Sequence, residues 1–240
     1  IVAGHHVEIL TPFPEKVEEQ VKEGYRAKKL EVDQDGALVI RRIHIPLNET
    51  SFLKRILKST LTCAVMYFRG ICSKETDLIM TISMPPFIGP IGVALGKAKN
   101  VPVVYWEQDI ISKSIKKSSK LGNWFMKALM RKVIKLLETI SVKKSTHTVT
   151  ISNKFKDYHL KEDNLVDDNK ISTIYNWIDT TQVNYVSRDE NPLFKKLNLD
   201  NKKFYVTYCG NIGYPHNLET LIDTAKQLES YSNIKFLIFG

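Results

Sequence analysis

Cysteine is scarce. Cys63, Cys72 and Cys209 form no C-x-x-C pair and lie near no histidine at zinc-finger spacing. That excludes a structural zinc and a disulfide framework, and the three read as buried thiols in a reducing compartment. No apolar run approaches the roughly 20 residues that cross a bilayer; a long one such as Leu61 to Phe68 is far shorter. The opening IVAGHHVEIL lacks the basic start and long apolar middle of a signal peptide, and it has no initiator methionine, so the chain reads as a piece that begins inside a domain. A serine-hydrolase elbow, a Walker loop, internal repeats and low-complexity segments are all missing. His5 and His6 open a strand, while His44, His147 and His159 are isolated, with no Cys or carboxylate partner at ligand or triad spacing. No metal is expected.

What is present is positive charge, unevenly spread. The formal net charge is +9, and the window Ser112 to Lys144 holds ten basic residues against one acid, Glu138. The basicity is therefore local. Within it, Trp124, Phe125, Met126, Leu129, Val133, Ile134, Leu137 and Ile140 give an apolar side, and Lys127, Arg131 and Lys135 stack four apart on another. Such a helix either lies on an anionic membrane surface or packs on a core with a solvated basic face. No nucleic-acid recognition motif or aromatic stacking array accompanies the charge, so nucleic acid is not expected as a partner.

Short β-branched or aromatic runs recur at 6–10, 37–45, 77–82, 101–106, 146–151, 170–175, 203–209 and 234–239. Most are continuous rather than alternating, as strands covered on both faces are. Between them, 52–71, 88–98, 124–142, 154–160 and 218–228 carry apolar residues at helical spacing. Strands alternating with helices predict an α/β fold with open parallel sheets. A polar stretch containing Asn191-Pro192 breaks the pattern, so the expected division is a first domain over 1–180, a linker over 181–201 and the beginning of a second domain over 202–240.

Ligands of open parallel sheets sit beyond the carboxyl ends of the strands. Five loops qualify. Gly210-Asn211-Ile212-Gly213, leading to a helix near Asn217, is either a phosphate cradle or a tight turn capped by Asn217. Ser83-Met84-Pro85-Pro86 is a rigid turn or a substrate wall, with Gly89 and Gly92 allowing close packing of the next helix. Glu107 and Asp109, in Trp106-Glu107-Gln108-Asp109, gather carboxylates that orient a hydroxyl or act as a base, against the alternative that Asp109 caps a helix. Ser152-Asn153 and the pair Asn176 and Trp177 end strands, the latter lining a cleft or making an ordinary turn with a packed Trp.

Taken in order, these pieces resemble the retaining family 4 bacterial glycosyltransferases of the two-domain GT-B architecture. Gly4 to Thr11 is similar to that family's "GHeVxVlT" strand, Ser83 to Pro86 to its "sxPp" turn and Trp106 to Asp109 to its acidic loop. Val149 to Ser152 is similar to "vitxS", Ile174 to Asp179 to "vipNwvD", and Tyr208 to Gly213 with Asn217-Leu218 to "yxGniGxxqnl".

The resemblance implies a Rossmann-like acceptor-side domain followed by the start of a Rossmann-like donor domain. It implies sugar transfer with retention from a nucleotide-sugar donor to a polyprenyl-diphosphate-linked or saccharide acceptor, in capsule, O-antigen or exopolysaccharide assembly. The donor diphosphate would meet Gly210, Asn211, Gly213 and Asn217, and Asp109 would take the acceptor side with Glu107. Ser83, Pro85, Asn176 and Trp177 would line the cleft, and Lys127, Arg131 and Lys135 would face an anionic membrane at the cytoplasmic side of the plasma membrane. No cofactor is implied beyond the nucleotide-sugar itself.

The family's first strand and glycine-rich loop precede the position of Ile1, and its E-x7-E element follows that of Gly240, so a catalytically incomplete fragment is implied. Gln108 stands where many members have His, and Tyr214-Pro215-His216 where many have a Lys. A non-catalytic subunit that works with a separate donor-binding chain and a nucleotide-sugar epimerase are the competing readings.

Overall fold

The computed structural model describes residues 3–13, 24–25, 29–47, 51–114, 124–212 and 217–240. The chain divides into two compact units, Ile1–Tyr175 and Asn176–Gly240.

The first unit holds two sheets. Strand β1 (Val7–Pro12) pairs in parallel with β3 (Leu38–Ile43), whose other edge carries β2 (Leu30–Asp33) antiparallel. That antiparallel strand departs from the all-parallel expectation. Its four residues LEVD include two acids, too short a run to show a period, and charge suits an edge strand. Glu31 on it pairs with Arg42 of β3 at 2.8 Å. The second sheet runs β4 (Ile79–Ile82), β5 (Val103–Glu107), β6 (His147–Thr150), β7 (Ile171–Thr173), all parallel and in sequential order.

Helices carry the crossovers, as parallel pairing requires. The first, α1 (Phe52–Cys72), starts where the Ser51 hydroxyl accepts the Lys54 N–H at 3.3 Å. It turns Cys63 and Met66 inward, and burial pushes the Cys63 thiol up to about 11. Cys72 and Cys209 are exposed, which corrects the expectation of three buried thiols; Cys72 is the last residue of its helix and Cys209 the last of its strand, beyond the packed faces.

The second helix, α2 (Ile88–Lys99), lies against the β4–β5 surface through glycines. A Cβ at Gly92 would stand 2.1 Å from Thr81 Cγ2, one at Gly96 2.1 Å from Val103 Cγ2, and one at Gly89 2.2 Å from Ser141 Oγ. Only glycine allows this approach.

After β5 come the short α3 (Ile111–Ser114) and the long α4 (Trp124–Lys144), which packs on both α2 and α3. After β6, α5 (Asn153–Asp157) runs directly into a single π-helical turn, Tyr158–Glu162.

The second unit contains α6 (Pro192–Lys196) and a βαβ piece: β8 (Phe204–Cys209), α7 (Leu218–Gln227) and β9 (Ile234–Phe239), with the two strands parallel in register from Phe204 opposite Ile234 to Cys209 opposite Phe239.

Candidate functional site

The carboxyl ends of β4 and β5 hold the chemistry of the first unit. Along β5 burial alternates, so Val103, Tyr105 and Glu107 share the covered face. Period two therefore carries Glu107 into the interior, where it is 0 % exposed, while Asp109, two residues past the strand, reaches the surface.

Glu107 is not alone there. His159, also 0 % exposed, sits on the π-helical turn with its Nε2 2.6 Å from Glu107 Oε2. The expectation that His159 lacks a carboxylate partner is thereby overturned; the partner is 52 residues away and no local spacing reports it. Burial raises the Glu107 carboxyl above its ordinary value, against the opposing pull of His159, and the nearby Glu138 charge raises it further. Glu138 is itself buried on α4 and accepts the Ser112 N–H at 2.9 Å. Glu107, read as catalytic beside Asp109, is thus wholly buried and does not line the cleft that Asp109 borders.

Asp109 is positioned by the backbone. The buried Ser83 hydroxyl, at the end of β4, accepts the N–H groups of Gln108 at 3.1 Å and Asp109 at 3.2 Å. The Met84–Pro85 peptide that follows is cis. Ser83 and Asp109, singled out separately in the sequence, are thus one structural unit.

Asp109 borders a cleft of about 440 Å3 shared with Ile110, Lys113, Phe155, Tyr158 and Glu162, among others. Lys113 lies 3.4 Å from the centre of the Tyr158 ring and 3.0 Å from Glu162. A larger cleft, about 510 Å3, lies at the amino ends of the strands around Gly96, Asn100 and Thr146. The strand-end rule selects the smaller one. Among the described residues, no three His, Cys, Asp or Glu side chains converge as metal ligands.

The basic helix departs from expectation in its orientation. Lys135 points inward, donating to Tyr158 Oη at 2.8 Å and to Asp163. Burial opposes its charge, but these partners prevail and hold the ammonium above its ordinary value. Lys127 and Arg131 lie on the same side and are half-buried. The outward side carries Phe125, Leu129, Val133 and Leu136 instead. Of the row Lys127, Arg131 and Lys135 read as membrane-facing, Lys135 is thus engaged within the fold, by Tyr158 and Asp163.

In the second unit, the Gly210 N–H donates to Phe239 O at 3.0 Å and Tyr208 Oη donates to Asn211 O at 2.8 Å, fixing the start of the glycine turn. Gly210 has φ +155°, a conformation that L side chains rarely adopt. Asn217 stands at the start of α7 in the left-handed region with φ 47° and makes no side-chain cap; its amide donates to Thr220 Oγ1 at 2.6 Å. The side-chain cap that the plain-turn alternative called for is thus not made by Asn217, whose carbonyl accepts the Thr220 N–H at 3.1 Å. Gly213 lies outside the described residues. Asn176 and Trp177 begin the second unit and are exposed, next to an Asp179 turn that accepts from Thr181 and Gln182.

Residues 2–182 match the family described as Glycosyltransferase Family 4. No curated protein matches the chain. Among solved structures, Arabidopsis thaliana UGT89C1 complexed with UDP-L-rhamnose superposes with a TM-score of 0.52 at 13% identity, covering 99% of this chain and 58% of that one. Anabaena HepE in complex with UDP and glucose gives 0.54 at 11% identity, covering 98% and 70%, and the same protein with UDP gives 0.55 at 12%, covering 96% and 61%. The chain spans less than two thirds of the length of the Arabidopsis protein. These likenesses show the fold: α/β with parallel Rossmann-like sheets, as in GT-B structures.

Proposed function

The chain belongs to Glycosyltransferase Family 4, and from that premise we propose that it moves a sugar from a nucleotide-sugar donor to an acceptor hydroxyl. The observation that carries the reading is Asp109 on the open cleft at the carboxyl end of β5, its backbone tied to Ser83.

In the proposed reaction the bond from the anomeric carbon to the donor phosphate breaks as the acceptor oxygen bonds to that carbon. The nucleoside diphosphate leaves with the electron pair. Charge develops on the leaving phosphate, so donors aimed at it lower the barrier most. The Asn211 N–H, which follows Gly210, and the uncapped amino end of α7 supply N–H groups and a positive dipole end of that kind. Asp109 orients the acceptor hydroxyl and takes its proton, and Glu107, clamped by His159, is a positioning residue for that loop.

The finer reading is transfer with retention to a polyprenyl-diphosphate-linked acceptor in surface polysaccharide assembly, at the cytoplasmic face of the membrane. The local basic window supports a membrane-side acceptor. Among the described residues no helix is long and apolar enough to cross a membrane. The UDP-L-rhamnose held by the Arabidopsis protein and the UDP and glucose held by the Anabaena one make uridine diphosphate donors the first to try. The test is product analysis: labelled UDP- and GDP-sugars incubated with the protein and a prenyl-diphosphate-sugar acceptor, with the anomeric configuration of the product read by NMR. Release of an epimerised nucleotide-sugar with no transfer would refute the reading.

A further inference from the structure

Helix α4 turns its apolar side outward. At about 100° per residue, Phe125, Leu129, Val133 and Leu136 fall within about 80° of one another, and they are 60 %, 47 %, 46 % and 59 % exposed. Trp124, at the helix start, is 79 % exposed and meets Phe125 edge-on at 6.4 Å. From Phe125 to Leu136 the stripe runs about 16 Å along the axis.

The charges on this face are of one sign. Lys132 and Lys143 are exposed and fall on the line of Phe125, with Lys144 exposed beside them. The one acid of the helix, Glu138, is on the opposite side, 2 % exposed and bonded to the Ser112 N–H. Lys135, on the other side, is held by Asp163 and Tyr158. An exposed apolar stripe flanked only by lysines, with a tryptophan at one end, has the composition of a helix lying in the plane of a lipid interface. A second copy of the chain fits poorly, because pairing two such faces brings lysine against lysine.

We infer that α4 docks on an anionic bilayer through Phe125, Leu129, Val133 and Leu136, with Trp124 at headgroup depth and Lys132 and Lys143 on the lipid phosphates. The inference rests on the membrane reading proposed above and replaces its row of cations with a different face of the same helix. It does not depend on sugar transfer.

The experiment is co-sedimentation of the full chain with vesicles of phosphatidylcholine, with and without phosphatidylglycerol. The expected result is binding that requires phosphatidylglycerol and falls about tenfold or more in Leu129→Glu/Leu136→Glu with the circular dichroism unchanged. A second measurement needs no destabilising change: brominated lipids should quench the wild-type fluorescence, and Trp124→Phe should remove most of that quenching. Equal binding by the double variant, equal binding to neutral vesicles, or quenching indifferent to Trp124→Phe would overturn the inference. So would a wild-type dimer that the double variant dissociates in the absence of vesicle binding. Vesicle binding without sugar transfer would support this inference while contradicting the transferase reading.

Discussion

His159 Nε2 lies 2.6 Å from Glu107 Oε2 in a region from which both side chains are wholly withdrawn from solvent. A buried polar pair of this kind is costly to break, because removing one partner strands the other without water. It ties the π-helical turn after α5 to the end of β5, two residues before Asp109. The candidate site is therefore braced from below by Glu107 and His159 and from the side by Ser83.

The bracing sets a pH dependence. Burial first, and Glu138 after it, raise the Glu107 carboxyl above 4.5, so the folded chain holds this proton more tightly than the unfolded chain does. Stability from this group is complete below the unfolded value and is lost as pH rises through the folded value. Thermal unfolding followed across that window should show Tm falling as pH rises, with a shallower slope in Glu107→Gln. An unchanged slope in the variant would show that another group sets it.

Ser83→Ala removes the acceptor of two N–H groups. The expected cost is about 1–3 kcal/mol, read by thermal unfolding. Exchange of the Gln108 and Asp109 amides should accelerate by about tenfold, since 1.4 kcal/mol is a factor of ten. If those amides keep their protection, Ser83 does not hold the Asp109 loop.

The seat of α2 on the sheet gives a contrast between glycines. A Cβ at Gly92 meets Thr81 Cγ2 at 2.1 Å, whereas nothing lies within 4 Å of one at Gly24. Gly92→Ala should cost about 1–3 kcal/mol by overpacking. Gly24→Ala should leave the unfolding free energy from denaturant titration within about 0.5 kcal/mol of wild type or raise it slightly.

The two sides of α4 should separate by charge reversal. Lys135→Glu places a carboxylate against Asp163 and should lower Tm; with Lys135 partly exposed, solvent screening limits the cost to about 1 kcal/mol. Lys132→Glu should leave Tm in place and weaken binding to anionic vesicles. The reverse pattern would place the membrane side where the row Lys127, Arg131 and Lys135 lies.

The parallel α/β pattern and the loops at strand ends were readable because continuous β-branched runs alternate with helical periods, and because Gly, Pro and Asn punctuate the ends. Glu107 was half readable: V-x-Y-x-E places it on the covered face by period two, yet an acid in a loop-like tetrapeptide invited a surface reading. His159 was not readable, since the sheet brings it to Glu107 across 52 positions. The facing of α4 misled because the helix is apolar on more than one side. Its inner contact is made by Ser141, opposite Gly89, together with Glu138 and Val142, so small and polar residues occupy the core side while leucines face out.

Transfer of a labelled sugar by the protein expressed from its whole gene, compared between wild type and Asp109→Asn, tests the central claim most directly. Wild type should transfer the sugar, and the variant, with its fold intact, should show kcat/KM lower by about a hundredfold or more. Equal rates in the two proteins would contradict the role of Asp109, and no transfer by the wild type from any nucleotide-sugar would contradict the transferase reading itself.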